Sequence, residues 1–540
     1  MANRSATRER AVLDSAHAGD IKGAFGTIRE HEEAHRSTRS RLLALLAIIG
    51  PGLIVMVGDN DAGGVATYSQ AGQNYGTSLL WVLLLLVPVL IVNQEMVVRL
   101  GAVTGVGHAR LIVERFGRFW GWFSVIDLFV LNFLTVVTEF IGVSLALGYF
   151  GVSQYIAVPI AAAALIGITA SGSFRVWERS MFVFVFANLL VVPLFFLGRP
   201  RPGPILHGFF VPGILGGANS TSVLLIIAIV GTTVAPWQLF FQQSNIIDKR
   251  ITPRWIKYER LDTWIGAVVV VVGAAALMCV TAFALAGTRY FGNFTDAGAT
   301  AEALRHTLGA AAGTFFALVL LNASLIGAGA LTLSTSYAFG DVTGAKSSLH
   351  RSFRDEPGFY LLFSLVIAGA AAIVLIPGAP LGIITLAVQA LAGVLLPSAS
   401  MFLLLLCNDP AVLGPWVNKT WLNVLAVIIE GVLLLLSLIL MATTVFPNIN
   451  VTTFTLIGAP VIAVCLVVFG AVAMRGGGGP PADAATGYDV PREQWTMPPI
   501  ALLERPKQSV GRRAAMLALE AYLVLAIVLL AVKAVQLAGG

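Results

Sequence analysis

Gly58-Asp59-Asn60-Asp61-Ala62-Gly63-Gly64 interrupts an apolar stretch that starts near Leu42, and Gly231-Thr232-Thr233-Val234-Ala235-Pro236 interrupts another. Hydrocarbon offers no partner to free backbone groups, so unwound chain at membrane depth survives only where it lines a cavity. Paired breaks in corresponding places of two halves point to the substrate site of an inverted-repeat transporter. The first break carries two aspartates, which points to a cation.

The rest of the composition agrees. Of 540 residues, 57% are hydrophobic and 11% charged, against about 25% charged in a soluble domain. This is a polytopic membrane protein. Its 55 glycines suit closely packed membrane helices. The net charge of +6 follows the membrane and is no nucleic-acid signal. Cys279, Cys407 and Cys465 form no CxxC pair, so they read as small buried hydrophobes and not as a zinc or redox site. The first 41 residues are polar, so no cleavable signal peptide is expected.

A membrane helix needs about 20 apolar residues. Thirteen candidate spans result, at 42–72 (broken), 78–98, 119–149, 154–171, 177–198, 220–245 (broken), 262–287, 313–340, 357–377, 383–407, 417–445, 452–474 and 514–536. They divide the chain into an N-terminal segment (1–41), an inverted-repeat core (42–407), additional membrane helices (408–474), a Gly/Pro-rich linker (475–513) expected to be flexible or extended, and a terminal helix (514–540). With the N-terminus inside, 29 of the 34 Lys and Arg fall in inner segments, so the positive-inside rule predicts a cytoplasmic N-terminus. Residues 11–35 are expected to form one or two amphipathic helices. His17, His31 and His35 there read as solvated side chains, with a regulatory metal site as the alternative.

Asp61 is the leading candidate for chemistry. A carboxylate is the hard oxygen ligand that Mg²⁺, Mn²⁺ or Ca²⁺ prefers, although Asp61 is also well placed to cap the helix that follows. Asp59 and Asn60 add polar groups at the same depth. In the second break, Pro236 has no N–H to donate, which frees carbonyls at Thr232 and Thr233. Glu139 and Gln389 are polar groups inside apolar helices. Asp127 and Glu430 read as interhelical pairing, and Glu95 as an ion pair with Arg99.

Taken together, Gly50-Pro51-Gly52-Leu53, Asp61 to Gly64 and Ala66-Thr67 resemble the first helix of the natural resistance-associated macrophage protein (NRAMP) divalent-metal transporters. Arg99-Leu100-Gly101 with Val103-Thr104-Gly105 resembles the stretch after their second helix. Thr135 to Glu139 resembles their third helix, Gly231 to Pro236 their sixth and Gln389 their tenth. The resemblance covers roughly residues 42–445 and implies an all-α LeuT-type inverted repeat. In that fold helices 1–5 repeat as helices 6–10, helices 1 and 6 are unwound, and extra helices follow at the C-terminus. It also implies metal bound between helices 1 and 6 by Asp61 and the Thr232 carbonyl.

The departures are specific. Gly64 stands where the family has a metal-binding Asn, Ala235 where it has Met, and Trp237 where it has His. Val136 replaces a proton-transfer Asp, and Glu356-Pro357-Gly358-Phe359 lacks the Arg pair of helix 9. Losing the soft thioether removes a preference for Mn²⁺, Fe²⁺ or Cd²⁺ over Mg²⁺. Ala235 and Gly64 are expected to enlarge the site for a partly hydrated Mg²⁺, as in the NRAMP-related magnesium transporters.

The sequence therefore predicts a multi-pass bacterial plasma-membrane protein that is not an enzyme. It would move Mg²⁺, and also Mn²⁺, by alternating access without obligatory proton coupling. Asp61, Thr232, Gln389, Asp59 and Asn60 would bind the ion, Gly64, Ala235 and Trp237 would shape the site, and Glu139 would stand behind it. The ion is cargo. No cofactor, nucleic-acid partner or obligate protein partner is implied. Two alternatives are a proton-coupled Mn²⁺/Fe²⁺ transporter using Glu139 and an amino-acid transporter of the same architecture.

Overall fold

The computed structural model describes residues 15–30, 38–377, 381–446, 449–475, 490–503, 513 and 516–525. In chain order its helices are α1 (Thr38–Ile48), α2 (Pro51–Gly58), α3 (Ala62–Tyr75), α4 (Leu80–Thr104), α5 (His108–Phe116), α6 (Arg118–Tyr149), α7 (Gln154–Thr169), α8 (Phe174–Ala187), α9 (Val191–Leu197) and α10 (Pro202–Phe210). There follow α11 (Ser220–Thr233), α12 (Pro236–Asp248), α13 (Ile256–Leu285), α14 (Ala297–Leu308), α15 (Ala310–Thr343), α16 (Pro357–Val374), α17 (Leu381–Cys407), α18 (Pro410–Leu413), α19 (Thr420–Val445) and α20 (Val451–Arg475). Among the described residues nine helices are long and apolar enough to cross a membrane, or ten if the bent pair α1–α2 counts as one.

The first twelve expected spans coincide with helical segments. The thirteenth is described only for Met516–Leu525, and the linker residues 476–489, like His31 and His35, lie outside the described residues. Helices α5, α10, α14 and α18 were not foreseen, being too short to span. Linker residues 490–503 are docked along the protein. The Met497 amide donates to the Val103 carbonyl at 3.0 Å, and Trp416 Nε1 donates to the Arg492 carbonyl at 2.8 Å.

The two broken spans arise from local chemistry. Pro51 and Pro236 each open a half-helix at its first turn, where a missing N–H costs nothing. Asp61 caps α3 by accepting from the Gly64 amide, and α11 starts on an Asn219–Ser222 capping box, which satisfies otherwise orphaned donors. Between α1 and α2 the chain bends by 48° at Gly50, whose φ of 152° is open to glycine. The groups freed by this bend are satisfied by charge. Asp262 accepts from the amides of Gly50 (3.0 Å), Gly52 (2.8 Å) and Leu53 (3.2 Å). Lys249 donates to the carbonyls of Ile48 (2.6 Å) and Ile49 (2.8 Å) and to Glu178 Oε1 at 2.6 Å.

The half-helices α2, α3, α11 and α12 are sheathed by α13, α15, α17, α6 and α4. The apolar outer faces, with Leu85, Ile160, Val183, Leu365, Ile383 and Val424 exposed, are what a bilayer would cover. A third proline, Pro397, lies inside α17 and cannot donate to the Gly393 carbonyl. Ser437 Oγ on α19 donates to that carbonyl at 3.1 Å, and the Tyr522 hydroxyl donates to the adjacent Val394 carbonyl.

Several expectations need correction. Within the described part of the N-terminal segment there is no amphipathic helix. Residues 15–30 form a short helical turn and a two-stranded hairpin, β1 (Ile21–Lys22) against β2 (Thr27–Ile28), because Gly23 and Gly26 favour a turn there. His17 is not solvated: its Nε2 contacts the Ser347 carbonyl at 3.2 Å. Cys279 and Cys407 are buried as expected, but Cys465 is exposed. His108 is buried beside Gln243 Oε1 at 2.8 Å, and burial pushes its imidazole down to about 4. Asp127 and Glu430 pair between helices as read, each with a serine of α17: Asp127 with Ser398 (3.2 Å) and Glu430 with Ser400 (2.6 Å). Glu95 pairs with Arg99 at 3.0 Å as read and also with Arg260.

Candidate cation site

The two breaks meet. Asp61, at the start of α3, accepts from the Gly64 amide at 2.6 Å, and its carboxylate faces the Glu139 carboxyl of α6 and the Thr232 hydroxyl of α11. Glu139 Oε2 in turn accepts from the Ala62 amide at 3.0 Å, which fixes α6 against the first turn of α3. Asp59 lies close enough to Asp61 for the two carboxyls to interact. Asn60 Nδ2 donates to the Val270 carbonyl at 3.1 Å. All of these residues are buried, as are Gln389, Ala235 and Trp237.

What distinguishes the cluster is its unused polar capacity. Both Asp59 carboxylate oxygens and Gln389 Nε2 are buried with no hydrogen-bond partner, Glu139 Oε1 and Thr232 Oγ1 have none beyond the Asp61 carboxylate, and Asn60 Oδ1 is unpartnered beside α13. Leaving one such group unsatisfied costs about 1–3 kcal/mol, more for a charge, so several together in one place call for an occupant. Most are oxygens, the donor type that hard divalent cations take. Among the described residues no group of three His, Cys, Asp or Glu side chains could hold a metal. Neutral oxygens or water would therefore have to complete any coordination shell.

The second break supplies a backbone oxygen. The Thr233 carbonyl accepts from Gln238 Nε2 at 3.3 Å and the Val230 carbonyl from the Val234 amide at 2.9 Å. The helical partner of the Thr232 carbonyl would be residue 236, which is Pro236 and has no N–H. Gln389 reaches the cluster from α17. A Cβ on Gly63 would fall 1.7 Å from Gln389 Nε2, so the amide packs directly on the α3 backbone. The Trp237 indole leans on Gly58, 3.2 Å from where a Cβ would stand, and packs against the Phe241 ring at 5.8 Å.

One expectation changes in form. Gly64 does not open empty space in this conformation. A Cβ there would lie 2.8 Å from the Asp59 carbonyl oxygen, 3.2 Å from Thr232 Oγ1 and 3.3 Å from Tyr68 Cε2. The absent side chain instead lets these oxygens draw together. Three contributors escaped the sequence. Tyr68 lies two turns beyond Asp61 on the same face of α3, and its hydroxyl meets Thr233 Oγ1 at 2.8 Å. Gln238 is braced by Gln94 at 2.9 Å. Gly327 of α15 passes so close that a Cβ would sit 2.7 Å from Glu139 Oε2 and 3.0 Å from Asp61 Cβ. Only the spacing of Tyr68 from Asp61 left a signal. Beyond Ala62 lies a small cavity of about 10 Å³ lined by Thr138, Gly142, Asp296 and Thr385 among others, which leads away from the cluster toward α14.

The family model described as natural resistance-associated macrophage protein-like matches residues 52–443. The Erwinia tasmaniensis divalent metal cation transporter MntH is 30% identical over 314 residues, covering 55% of this chain and 72% of that protein. The Staphylococcus aureus (strain Mu3) protein of the same name is 26% identical over 446 residues, covering 76% and 93%. The match to the Chromohalobacter salexigens protein of that name, at 29% identity, spans 49% of this chain and 60% of that relative. Among solved structures, the Eremococcus coleocola manganese transporter superposes with a TM-score of 0.63 at 21% identity, covering 82% of this chain and 98% of that one.

Proposed function

The chain belongs to the natural resistance-associated macrophage protein-like family and has its LeuT-type fold, and from that premise we propose that it carries divalent metal cations across a bacterial plasma membrane by alternating access. The observation that carries the reading is the buried nest of unpartnered oxygens between the two helix breaks. Asp61 is the anchoring ligand and the Thr232 carbonyl the second. Asp59, Asn60 and Gln389 contact the ion directly or through water, and Glu139 holds the first turn of α3 behind it. Burial of the site residues on every side supports a cycle with a closed intermediate between outward and inward opening.

The cargo is Mg²⁺ as well as Mn²⁺. The names of the relatives and of the solved structure support Mn²⁺. The donor chemistry supports Mg²⁺, because the site offers oxygens and no sulfur, with Ala235 at the start of α12. Sulfur ligands are what favour the softer ions. The basic end of the helices is the cytoplasmic one, so uptake follows the membrane potential. A divalent ion gains about 4.6 kcal/mol per 100 mV, at ~2.3 per charge, so no proton gradient is required. One observation favours a competing proton-coupled Mn²⁺/Fe²⁺ mechanism: Glu139 stands against Asp61 with no other partner for Oε1, where a proton could ride.

The decisive experiment measures Mg²⁺ and Mn²⁺ uptake into proteoliposomes side by side, with a lumenal pH dye and an Asp61→Ala control. Uptake of both ions that depends on Asp61 and leaves the lumen neutral supports the proposal. Mn²⁺ uptake that acidifies the lumen and excludes Mg²⁺ would transfer the chain to the coupled mechanism.

A further inference from the structure

The segment before the first membrane helix is built into the transport core. Residues 16–30 run beneath the basic end of the bundle and bond to four separate elements. At the end of α12, Arg250 donates to the carbonyls of Ala16 (2.9 Å) and Asp20 (3.2 Å). At the α15–α16 connection, His17 Nε2 contacts the Ser347 carbonyl at 3.2 Å. On α8, Glu178 Oε2 accepts from the Ala24 amide, Arg179 donates to the Ala24 carbonyl at 3.0 Å and Arg175 donates to Thr27 Oγ1 at 2.5 Å. Ahead of α13, Arg254 donates to the Glu30 carbonyl at 3.1 Å.

Packing continues the attachment. Ile21, Ala24 and Ile28 are buried, and the Phe25 ring meets Phe182 edge-on at 4.6 Å. The hairpin also presses on α1: a Cβ on Gly23 would fall 1.9 Å from the Ala47 carbonyl oxygen.

The elements joined in this way have different tasks. α1–α2 and α12 are the basic-end halves of the two broken spans, so they must separate from their surroundings to open the site in that direction. α8 and the α15–α16 connection belong to spans that flank the site without a break through it. The same Glu178 that holds the Ala24 amide also pairs with Lys249, which caps the end of α1. The strap, the bend at Gly50 and the end of α12 thus share one buried ion pair. Arg250 is held by the strap in a left-handed backbone conformation, φ 67°, which a residue with a side chain seldom adopts.

We propose that residues 16–30 form a latch that holds the cytoplasmic side of the site shut, and that peeling this strap from α8 is a required step in releasing the ion inward. The inference rests on the transport reading above. It also makes the strap an intrinsic brake, since any weakening of its α8 contacts favours the inward-open state.

The test uses the full chain with Thr27→Cys and Arg175→Cys, both at the rim of the strap–α8 contact, in a Cys465→Ser background. A short bismaleimide joins the two thiols. The latch predicts that joining lowers Mn²⁺ uptake at least tenfold relative to the unjoined double variant while Mn²⁺ affinity by calorimetry stays within twofold, and that either single cysteine takes up Mn²⁺ at the same rate before and after the same treatment. Uptake by the joined protein at the unjoined rate would overturn the latch. If the wild-type chain carries neither Mn²⁺ nor Mg²⁺, the transport reading falls and the latch falls with it. If wild type transports and only the unjoined variant does not, Mn²⁺ uptake by Arg179→Ala decides: faster uptake than wild type supports the latch, and the wild-type rate refutes it.

Discussion

Asp61 does two things that one substitution can separate. Its carboxylate caps α3 through the Gly64 amide at 2.6 Å, and under the proposed function it anchors the cation. Asn caps a helix about as well as Asp, whereas Ala costs about 1 kcal/mol. Asp61→Asn should therefore leave the folded protein within a few tenths of a kcal/mol of wild type, and Asp61→Ala should lower its stability by about 1 kcal/mol. The effect on the ion is of another size. Two unit charges 4 Å apart attract by about 4 kcal/mol at an effective dielectric of about 20, and a divalent ion doubles this. Most of that is offset when the ion sheds water. If only a quarter survives, about 2 kcal/mol, both substitutions weaken binding roughly 30-fold. The assay is Mn²⁺ titration calorimetry beside thermal unfolding, in the same detergent, for the three proteins. Wild-type affinity in Asp61→Asn, with a stability loss confined to Asp61→Ala, would refute the reasoning and reduce Asp61 to a cap.

Four further outcomes follow from the geometry. Lys249→Met should lower stability by about 3–5 kcal/mol, because it strands Glu178 as an unpaired buried charge. Lys249→Met/Glu178→Met should recover much of that loss in the same unfolding assay. Gly327→Ala should cost about 1–3 kcal/mol by overpacking and slow uptake, since the new Cβ meets Glu139 and Asp61 within about 3 Å; wild-type melting and transport would contradict the close approach of α15. Ala235→Met should let Cd²⁺ compete with Mn²⁺ uptake at lower concentration than in wild type, by placing a soft donor at the second break. Asp296→Asn keeps the cap of α14 yet removes the carboxylate of the outer cavity, so its KM for Mn²⁺ should rise a few-fold at low salt and converge on wild type at high salt.

The parts of this architecture that were legible in the sequence are those that break a local rule. Asp59-Asn60-Asp61 in an apolar run, and Pro236 behind two threonines, are visible because hydrocarbon does not tolerate them without a reason. That alone located both halves of the candidate site. Gln389 and Glu139 were different. A single polar residue in an apolar helix does not say which partner it meets, and only the family resemblance placed them here. Gly327 was illegible because its role is to lack a side chain at a crossing that only the packed bundle creates. The hairpin at 21–28 was missed because its strands are two residues long and held by side chains more than a hundred residues away, so no local period records it. Gly64 was read as added room. The structure shows the opposite use of a missing side chain, which is contact between oxygens.

The kink in α17 has a consequence for biogenesis. The carbonyls at Gly393 and Val394 are released by Pro397 and its bend, and they are answered by Ser437 and Tyr522. Tyr522 follows Val394 by 128 residues, so it leaves the ribosome long after α17 has been made. Until then the helix that bears Gln389 has an open polar seam facing lipid, at a cost of several kcal/mol for each exposed group. A nascent or truncated chain that stops before Tyr522 would carry that penalty. The helix at Met516–Leu525 is thus a late-arriving hydrogen-bond partner for α17, and its arrival sets when the helix that bears Gln389 is fully satisfied in the bundle.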